Sequence, residues 1–274
     1  MLNCSKRKKI MKKVTIALLF IASTALLPLI SSAGVFVSVD IAPPALPLYA
    51  QPPIPGDGYM WTPGFWSWNA NDNDYYWVPG TWVLAPYVGA LWTPGYWGWI
   101  GGRYQWHGGY WGTHIGYYGG VNYGYGYGGV GYQGGHWDHG YFNYNRSVNN
   151  VVNVRNVHVY NSHVTYSNNT RVSYSGGQGG VRAEQTRSEE IISNMPHHEQ
   201  TEPQARHEST SLGSQPQRAS YNHGMPSIAA TPEPGKFNSP YVSAARPQAA
   251  PKAPGHSGSS HGPSGGSHES EHHR

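Results

Sequence analysis

Cysteine is almost absent from this 274-residue sequence, whose only copy is Cys4. Cys4 precedes an apolar run, Val14 to Ile30, that is typical of an export signal, and it would be removed with that signal. The remaining chain then has no thiol. This excludes disulfides, thiolate catalysis and cysteine-ligated zinc. Any fold must therefore be held together by packing alone.

Charge is also scarce, at 12% of residues against roughly 25% in typical domains. Between Gly34 and Asn143 the only lysine or arginine is Arg103. A nucleic-acid surface needs clustered cations, so we predict no nucleic-acid partner. Leucine and isoleucine are rare beyond the N-terminus, which leaves tryptophan and tyrosine to form a core.

Residues 1–33 have the three parts of a signal peptide. Six lysines and arginines precede the apolar run, and Ser31-Ser32-Ala33 predicts cleavage before Gly34, with a start at either Met1 or Met11. The alternative is an uncleaved anchor, but a run of about 17 residues is short for a membrane span. Cleavage leaves 12 basic and 14 acidic residues, a formal charge of −2. We expect export to the periplasm or the outer cell surface, with no transmembrane span in the mature chain.

The abundant residues are organised into a repeat of the form W-x-P/G-G-x-W. The four clear copies are Trp61–Trp66, Trp77–Trp82, Trp92–Trp97 and Trp106–Trp111, and a weaker fifth copy is Tyr132–Trp137. The clear copies start 16, 15 and 14 residues apart, which indicates an internal repeat.

Proline followed by glycine suits the two central positions of a type II turn. The motif therefore predicts a hairpin closed at Pro63-Gly64, in which Trp61 faces Trp66. The alternative is a corner that passes the strand on to a neighbour, because type II turns splay tight hairpins. Polar turns are expected at residues 69–74, 85–89 and 101–103. We predict a mostly β fold, a small antiparallel meander at residues 58–143, flanked by long disordered segments.

The flanking segments differ in composition. Residues 34–57 predict a proline-rich linker that begins with a possible edge strand, Val35–Val39. Within the repeat domain, residues 116–135 predict a flexible loop rich in glycine and tyrosine, after which Tyr141–Tyr144 returns to the sheet. Residues 144–175 predict an extended segment rich in asparagine and valine. Residues 176–274 predict a disordered tail rich in His, Pro and Ser, with Arg182–Met195 as its one weak helical candidate.

These motifs resemble a known family. The W-x-P-G-x-W copies, extended as Gly64–Trp68 and Gly95–Trp99, look like the YXWGXW / WXXGXW repeat proteins of Gram-negative bacteria. Residues 144–148, 172–180 and 221–226 are also similar to that family. The resemblance implies an exported envelope protein, and it carries over no catalytic or binding residues.

The candidate binding residues are the eight motif tryptophans: Trp61, Trp66, Trp77, Trp82, Trp92, Trp97, Trp106 and Trp111. We expect them to form the core, and the alternative is an exposed platform that stacks on glycans. No spacing predicts a metal site, although a histidine-rich tail could bind metal loosely. No catalytic motif is present, so we predict neither an enzyme nor a cofactor. The candidate partners are envelope polymers or other envelope proteins.

Overall fold

A computed structural model describes residues 37–152 and 154–247. The predicted signal peptide and the tail beyond residue 247 lie outside this range. The described part is mostly β. Its strands before residue 116 are β1 (Ser38–Val39), β2 (Tyr59–Thr62), β3 (Phe65–Asn69), β4 (Asp74–Val78), β5 (Gly80–Leu84), β6 (Leu91–Thr93), β7 (Tyr96–Ile100), β8 (Arg103–His107) and β9 (Tyr110–Gly112). The later strands are β10 (Asn122–Gly124), β11 (Tyr127–Gly128), β12 (Gly135–Asp138), β13 (Tyr141–Asn145), β14 (His158–Tyr160), β15 (Tyr174–Ser175) and β16 (Ala230–Thr231).

The four clear motifs form two long antiparallel hairpins. In the first hairpin, residues 59–84, β3 pairs with β4 and β2 pairs with β5. The register is continuous, since Thr62 faces Thr81 on one side of the motif centres and Phe65 faces Val78 on the other. The second hairpin, residues 91–112, repeats the arrangement with β7–β8 and β6–β9. Each hairpin therefore pairs two complete motifs with each other.

The predicted chain reversal at Pro63-Gly64 is wrong. Trp61 faces Trp82 rather than Trp66, and Gly64 does not adopt the positive φ that a type II turn requires. The proline-glycine pairs of the two motifs stand opposite one another and separate the β2–β5 pairing from the β3–β4 pairing. The chain reverses instead at the polar tips. At the second tip Gly101 and Gly102 have φ values of 60° and 84°, which suit a two-residue hairpin loop.

Short sheets are built onto these hairpins. The order β1-β8-β7-β15 makes β1 an edge strand, which confirms the last two residues of the edge strand predicted at Val35–Val39. The order β16-β5-β2 adds a parallel strand from the C-terminal part of the chain. The third sheet is β12-β13-β14. A strand forms at Tyr141–Tyr144 as part of β13, but it belongs to this separate sheet and does not return to the sheet of the motifs as predicted.

Residues 116–135, the glycine-tyrosine insert, differ from the flexible loop predicted for them. Tyr118 and Tyr127 are fully buried, and the ring centroids of this pair lie 5.9 Å apart in an edge-on arrangement. The Tyr127 hydroxyl donates to the Trp92 carbonyl at 2.8 Å, and the Tyr123 hydroxyl donates to the Gly95 carbonyl at 2.6 Å. Glycines supply the tight backbone, and tyrosines anchor the insert to the second hairpin.

The asparagine-valine segment is extended for most of its length, and its asparagines hold it in place. The buried Asn145 amide donates to the carbonyls of Gln133 and Ser162, both at 3.0 Å. Its oxygen accepts from the backbone N–H groups of Ser147 and Ser162, both at 3.1 Å. The Asn145 side chain therefore supplies hydrogen bonds to backbone groups that are not paired in a sheet.

The predicted disordered tail differs from the structure over residues 176–247. Three helices form there: α1 (Arg187–Ser193), α2 (Glu202–Leu212) and α3 (Ala219–Asn222), with a 3-10 turn at Gln215–Gln217. Two of them begin in capping boxes, Thr186 with Glu189 and Thr201 with Gln204. Within the described ranges, no helix has the length and apolar character needed to cross a bilayer.

Candidate functional site

The glycine of each motif makes room for a tryptophan of its partner motif. A Cβ atom added to Gly80 would lie 2.5 Å from Cζ2 of Trp61, and one added to Gly64 would collide with Trp77. In the second hairpin the same contact recurs at 2.5 Å, between Gly95 and Trp106 and between Gly109 and Trp92. The first tryptophan of every motif thus covers the glycine across the hairpin. This contact explains why W-x-x-G-x-W has a glycine at its fourth position.

The last tryptophan of each motif completes a cross-strand pair. The ring centroids of Trp61 and Trp82 lie 5.3 Å apart, and those of Trp66 and Trp77 lie 5.2 Å apart in a similar edge-on arrangement. In the second hairpin the pairs are Trp92 with Trp111 at 5.3 Å and Trp97 with Trp106 at 5.4 Å. Such aromatic pairs contribute about 0.5–1.5 kcal/mol each beyond the burial of area.

Seven of the eight candidate tryptophans are buried, with at most 7% of the surface exposed, and Trp106 is half-buried. Trp61 and Trp82 belong to a core cluster completed by Ile54, Phe142 and Tyr144. Stacking of a sugar on these rings would need faces that ligands can reach. The structure instead uses the rings as the interior on which the rest of the chain packs.

Indole N–H groups attach the flanking segments to this interior. Trp66 donates to the Ala45 carbonyl at 3.1 Å and Trp82 to the Pro52 carbonyl at 2.9 Å, which fix the proline-rich segment. Trp97 donates to the Trp66 carbonyl at 2.7 Å and so joins the two hairpins. Trp77 reaches the Ala229 carbonyl at 3.0 Å, close to β16.

Beside the first hairpin lies a cleft of about 680 Å³, which we call the polar cleft. Its floor is Gly64 with Trp77, one of the motif contacts described above. Its walls come from residues 46–51, 122–125, 146–150, 166 and 169–171. This site was not predicted from the sequence, because its walls are distant along the chain and no short motif marks them.

Amide side chains tie the walls of the polar cleft together. The Gln51 side-chain oxygen accepts from the backbone N–H of Asn150 at 2.8 Å, and the Asn150 amide donates to the Gln51 carbonyl at 2.9 Å. The Asn122 amide donates to the Asn168 carbonyl. The Tyr125 hydroxyl donates to the Tyr49 carbonyl. The cleft therefore has polar walls that are already fixed in place.

The charged side chains among the lining residues are arginines. Arg146 and Arg171 line the cleft, and no lining residue carries a carboxylate, an imidazole or a thiol. Burial raises the pKa of Tyr125 to about 12, and the nearby charge of Arg246 acts in the opposite direction. Burial also holds the pKa of Tyr49 well above its usual value. Both phenols are uncharged at neutral pH, so the two arginines make the lining of the cleft cationic.

Metal ligation finds no support in the described ranges 37–152 and 154–247. No group of three or more His, Cys, Asp or Glu side chains there is placed to hold an ion. The histidines of the tail beyond residue 247 lie outside those ranges.

A family model for the WXXGXW repeat matches the chain twice, over residues 56–83 and 91–111. These matches coincide with the first and second hairpins, so one family repeat corresponds to one hairpin of two motifs. Neither the curated proteins nor the solved structures gave a match.

Proposed function

We propose that this WXXGXW-repeat protein is a non-enzymatic interaction protein of the bacterial cell envelope. In this role the tryptophan hairpins are the scaffold and the surface around them makes the contacts. The observation that carries the proposal is that different residues form the core and the accessible surface. Seven of the eight motif tryptophans are buried in the core, while an open cleft with arginine, amide and hydroxyl groups among its lining residues lies beside them.

The chemistry of the cleft supports binding rather than catalysis. General acid–base and nucleophilic catalysis rely mostly on histidine, carboxylates, cysteine or an activated serine. None of the first three lines the cleft, and its Ser147 has no such base beside it among the lining residues. Tyrosines with raised pKa values and arginines can donate hydrogen bonds, but they do not accept a proton at neutral pH.

The envelope location is supported by the N-terminal sequence and by the absence of cysteine after Cys4. A fold that rests on packed indoles rather than on thiols is insensitive to an oxidising compartment. The predicted cleavage before Gly34 gives this part of the proposal its own test. Cell fractionation followed by N-terminal sequencing should recover a chain that begins at Gly34 outside the cytoplasm. Recovery of the intact N-terminus in the cytoplasm would refute the location.

The interaction itself is tested by sedimentation of the chain from Gly34 onward with purified peptidoglycan and, separately, with outer-membrane vesicles. We expect one of the two fractions to retain the protein while a folded control protein of similar size and charge stays in solution. Equal behaviour of the two proteins in both fractions would remove the proposal. A second arm offers detergent-solubilised envelope proteins, which separates a protein partner from an envelope polymer.

A further inference from the structure

The polar cleft carries positive charge in a chain that is otherwise poor in cations. Arg146 is exposed, and the described residues include no ion-pair or hydrogen-bond partner for its side chain. The Arg171 guanidinium is held in place by donating to the Leu46 carbonyl. Arg246 contributes from the neighbouring segment, where its backbone N–H bonds to the Leu48 carbonyl at 2.6 Å. Arginine favours planar, two-pronged contacts with carboxylates.

The rest of the lining suits hydroxyl groups. An amide can both donate and accept, as sugar hydroxyls require. Gln51 and Asn149 are buried and bonded within the walls, so polar side chains are offered to a ligand by the exposed Asn169 and Thr170. Tyr166, 40% exposed, offers a ring face. A ring of this kind packs against the apolar C–H face of a pyranose. The volume of about 680 Å³ falls in the range of pockets that bind small organic ligands, which is room for a di- or trisaccharide.

A nucleic acid fits less well, because it needs a continuous basic track and no lysine lines the cleft.

We infer that the polar cleft binds a short saccharide that carries a carboxylate, with Arg146 facing the carboxylate and Asn169 and Thr170 facing the hydroxyls. This inference rests on the proposed interaction function and names the ligand class of that surface. Binding would need little rearrangement, because the walls are already joined by the Gln51–Asn150 hydrogen bonds.

Calorimetric titration of the chain from Gly34 onward tests this inference. The probes are a trimer of galacturonic acid, its fully methyl-esterified form, and a glutamate tripeptide. We expect the acid trimer to bind at least tenfold more tightly than the ester and the tripeptide. Arg146→Gln should weaken the acid trimer about tenfold and leave the ester unchanged. Arg182→Gln, an exposed arginine that does not line the cleft, should match the unaltered protein.

Three results would overturn the inference: equal affinity for acid and ester, preference for the tripeptide, or an equal loss in both arginine variants. Absence of measurable binding to all three probes at millimolar concentration would also overturn it. The proposed function fails separately, when the envelope fractions do not retain the protein. Retention by peptidoglycan that is unchanged in Arg146→Gln would keep the function and reject the cleft as its site.

Discussion

Alanine substitutions at the neighbouring Gly108 and Gly109 should show whether the motif needs its glycine to leave room for a tryptophan or to allow an unusual backbone conformation. A Cβ atom at Gly109 would lie 2.5 Å from Cζ2 of Trp92, 2.8 Å from the Gly95 nitrogen and 2.8 Å from the Thr93 carbonyl oxygen. A Cβ atom at Gly108 would meet nothing within 4 Å. Neither glycine has a positive φ, so alanine is compatible with both backbones.

Gly109→Ala should therefore destabilise the fold strongly. Overpacking costs about 1–3 kcal/mol, and the displaced Trp92–Trp111 pair forfeits about 0.5–1.5 kcal/mol more. We expect a loss of roughly 3 kcal/mol, equivalent to about 6–12 °C in Tm for a domain of this size. Gly108→Ala should be neutral or stabilising by about 0.4–1 kcal/mol, since alanine restricts the unfolded chain.

The assay is urea denaturation followed by tryptophan fluorescence, with both variants measured side by side. Equal stability of Gly109→Ala and Gly108→Ala would show that Trp92 does not cover Gly109. A second outcome would also refute the reasoning: loss of stability in both variants, because that result would point to backbone freedom.

Three further predictions concern other parts of the fold. Burial lowers the pKa of His207 to about 4. The neutral imidazole therefore contributes stability that is complete above pH 6.5 and declines as the pH falls toward 4, by roughly 3 kcal/mol in total. Urea titrations at several pH values should show this decline, and His207→Gln should lack it. Asn145→Ala removes four partly buried hydrogen bonds to the backbone and should cost about 2–4 kcal/mol in denaturant titration, whereas Asn161→Ala at an exposed position should cost nothing measurable. Trp99 is 38% exposed, and Trp68, Trp106 and Trp137 are half-buried. Replacing these four by phenylalanine should remove most of the acrylamide-quenchable emission. Strong residual quenching would contradict a core built from the other seven tryptophans.

The strands and polar tips were predictable because the tryptophans alternate with polar residues and the tips contain Asn, Asp and Gly. The pairing was not. Proline followed by glycine has the local signature of a turn, and Gly64 satisfies it in sequence. In the fold, Gly64 is selected by Trp77, which approaches from 13 residues away along the chain. A propensity for a turn cannot reveal a contact of that kind.

The C-terminal helices have a signal in the sequence, but the polar composition of the segment led to a prediction of disorder. Thr186-x-x-Glu189 and Thr201-x-x-Gln204 both have the pattern of a capping box, which is visible in sequence. The segment has few apolar residues, and its docking depends on buried polar groups. The Nε2–H of His207 donates to the Pro79 carbonyl at 3.0 Å, and its Nδ1 accepts from the Gly235 N–H at 3.0 Å. Polar docking of this type is not expected from hydrophobic periodicity.

The polar cleft could not have been predicted at all. Gln51 and Asn150 meet although 99 residues separate them, and neither belongs to a recognisable motif. The sequence directed attention to the tryptophans, which are the most conspicuous residues. Seven of the eight prove to be interior, and the surface that can contact a ligand comes from the segments expected to be a linker, a loop and an extended chain.

The pairing of complete motifs within each hairpin is tested most directly by disulfide trapping in the chain from Gly34 onward, which has no cysteine of its own. Tyr59 faces Leu84 in the structure, whereas a chain reversal at Pro63-Gly64 would place Tyr59 opposite Trp68. We expect the double variant Tyr59→Cys with Leu84→Cys to form an intramolecular disulfide on mild oxidation, detected by mass spectrometry of non-reduced peptides. Tyr59→Cys with Trp68→Cys should stay reduced. Cross-linking of the second pair in place of the first would contradict the pairing of complete motifs.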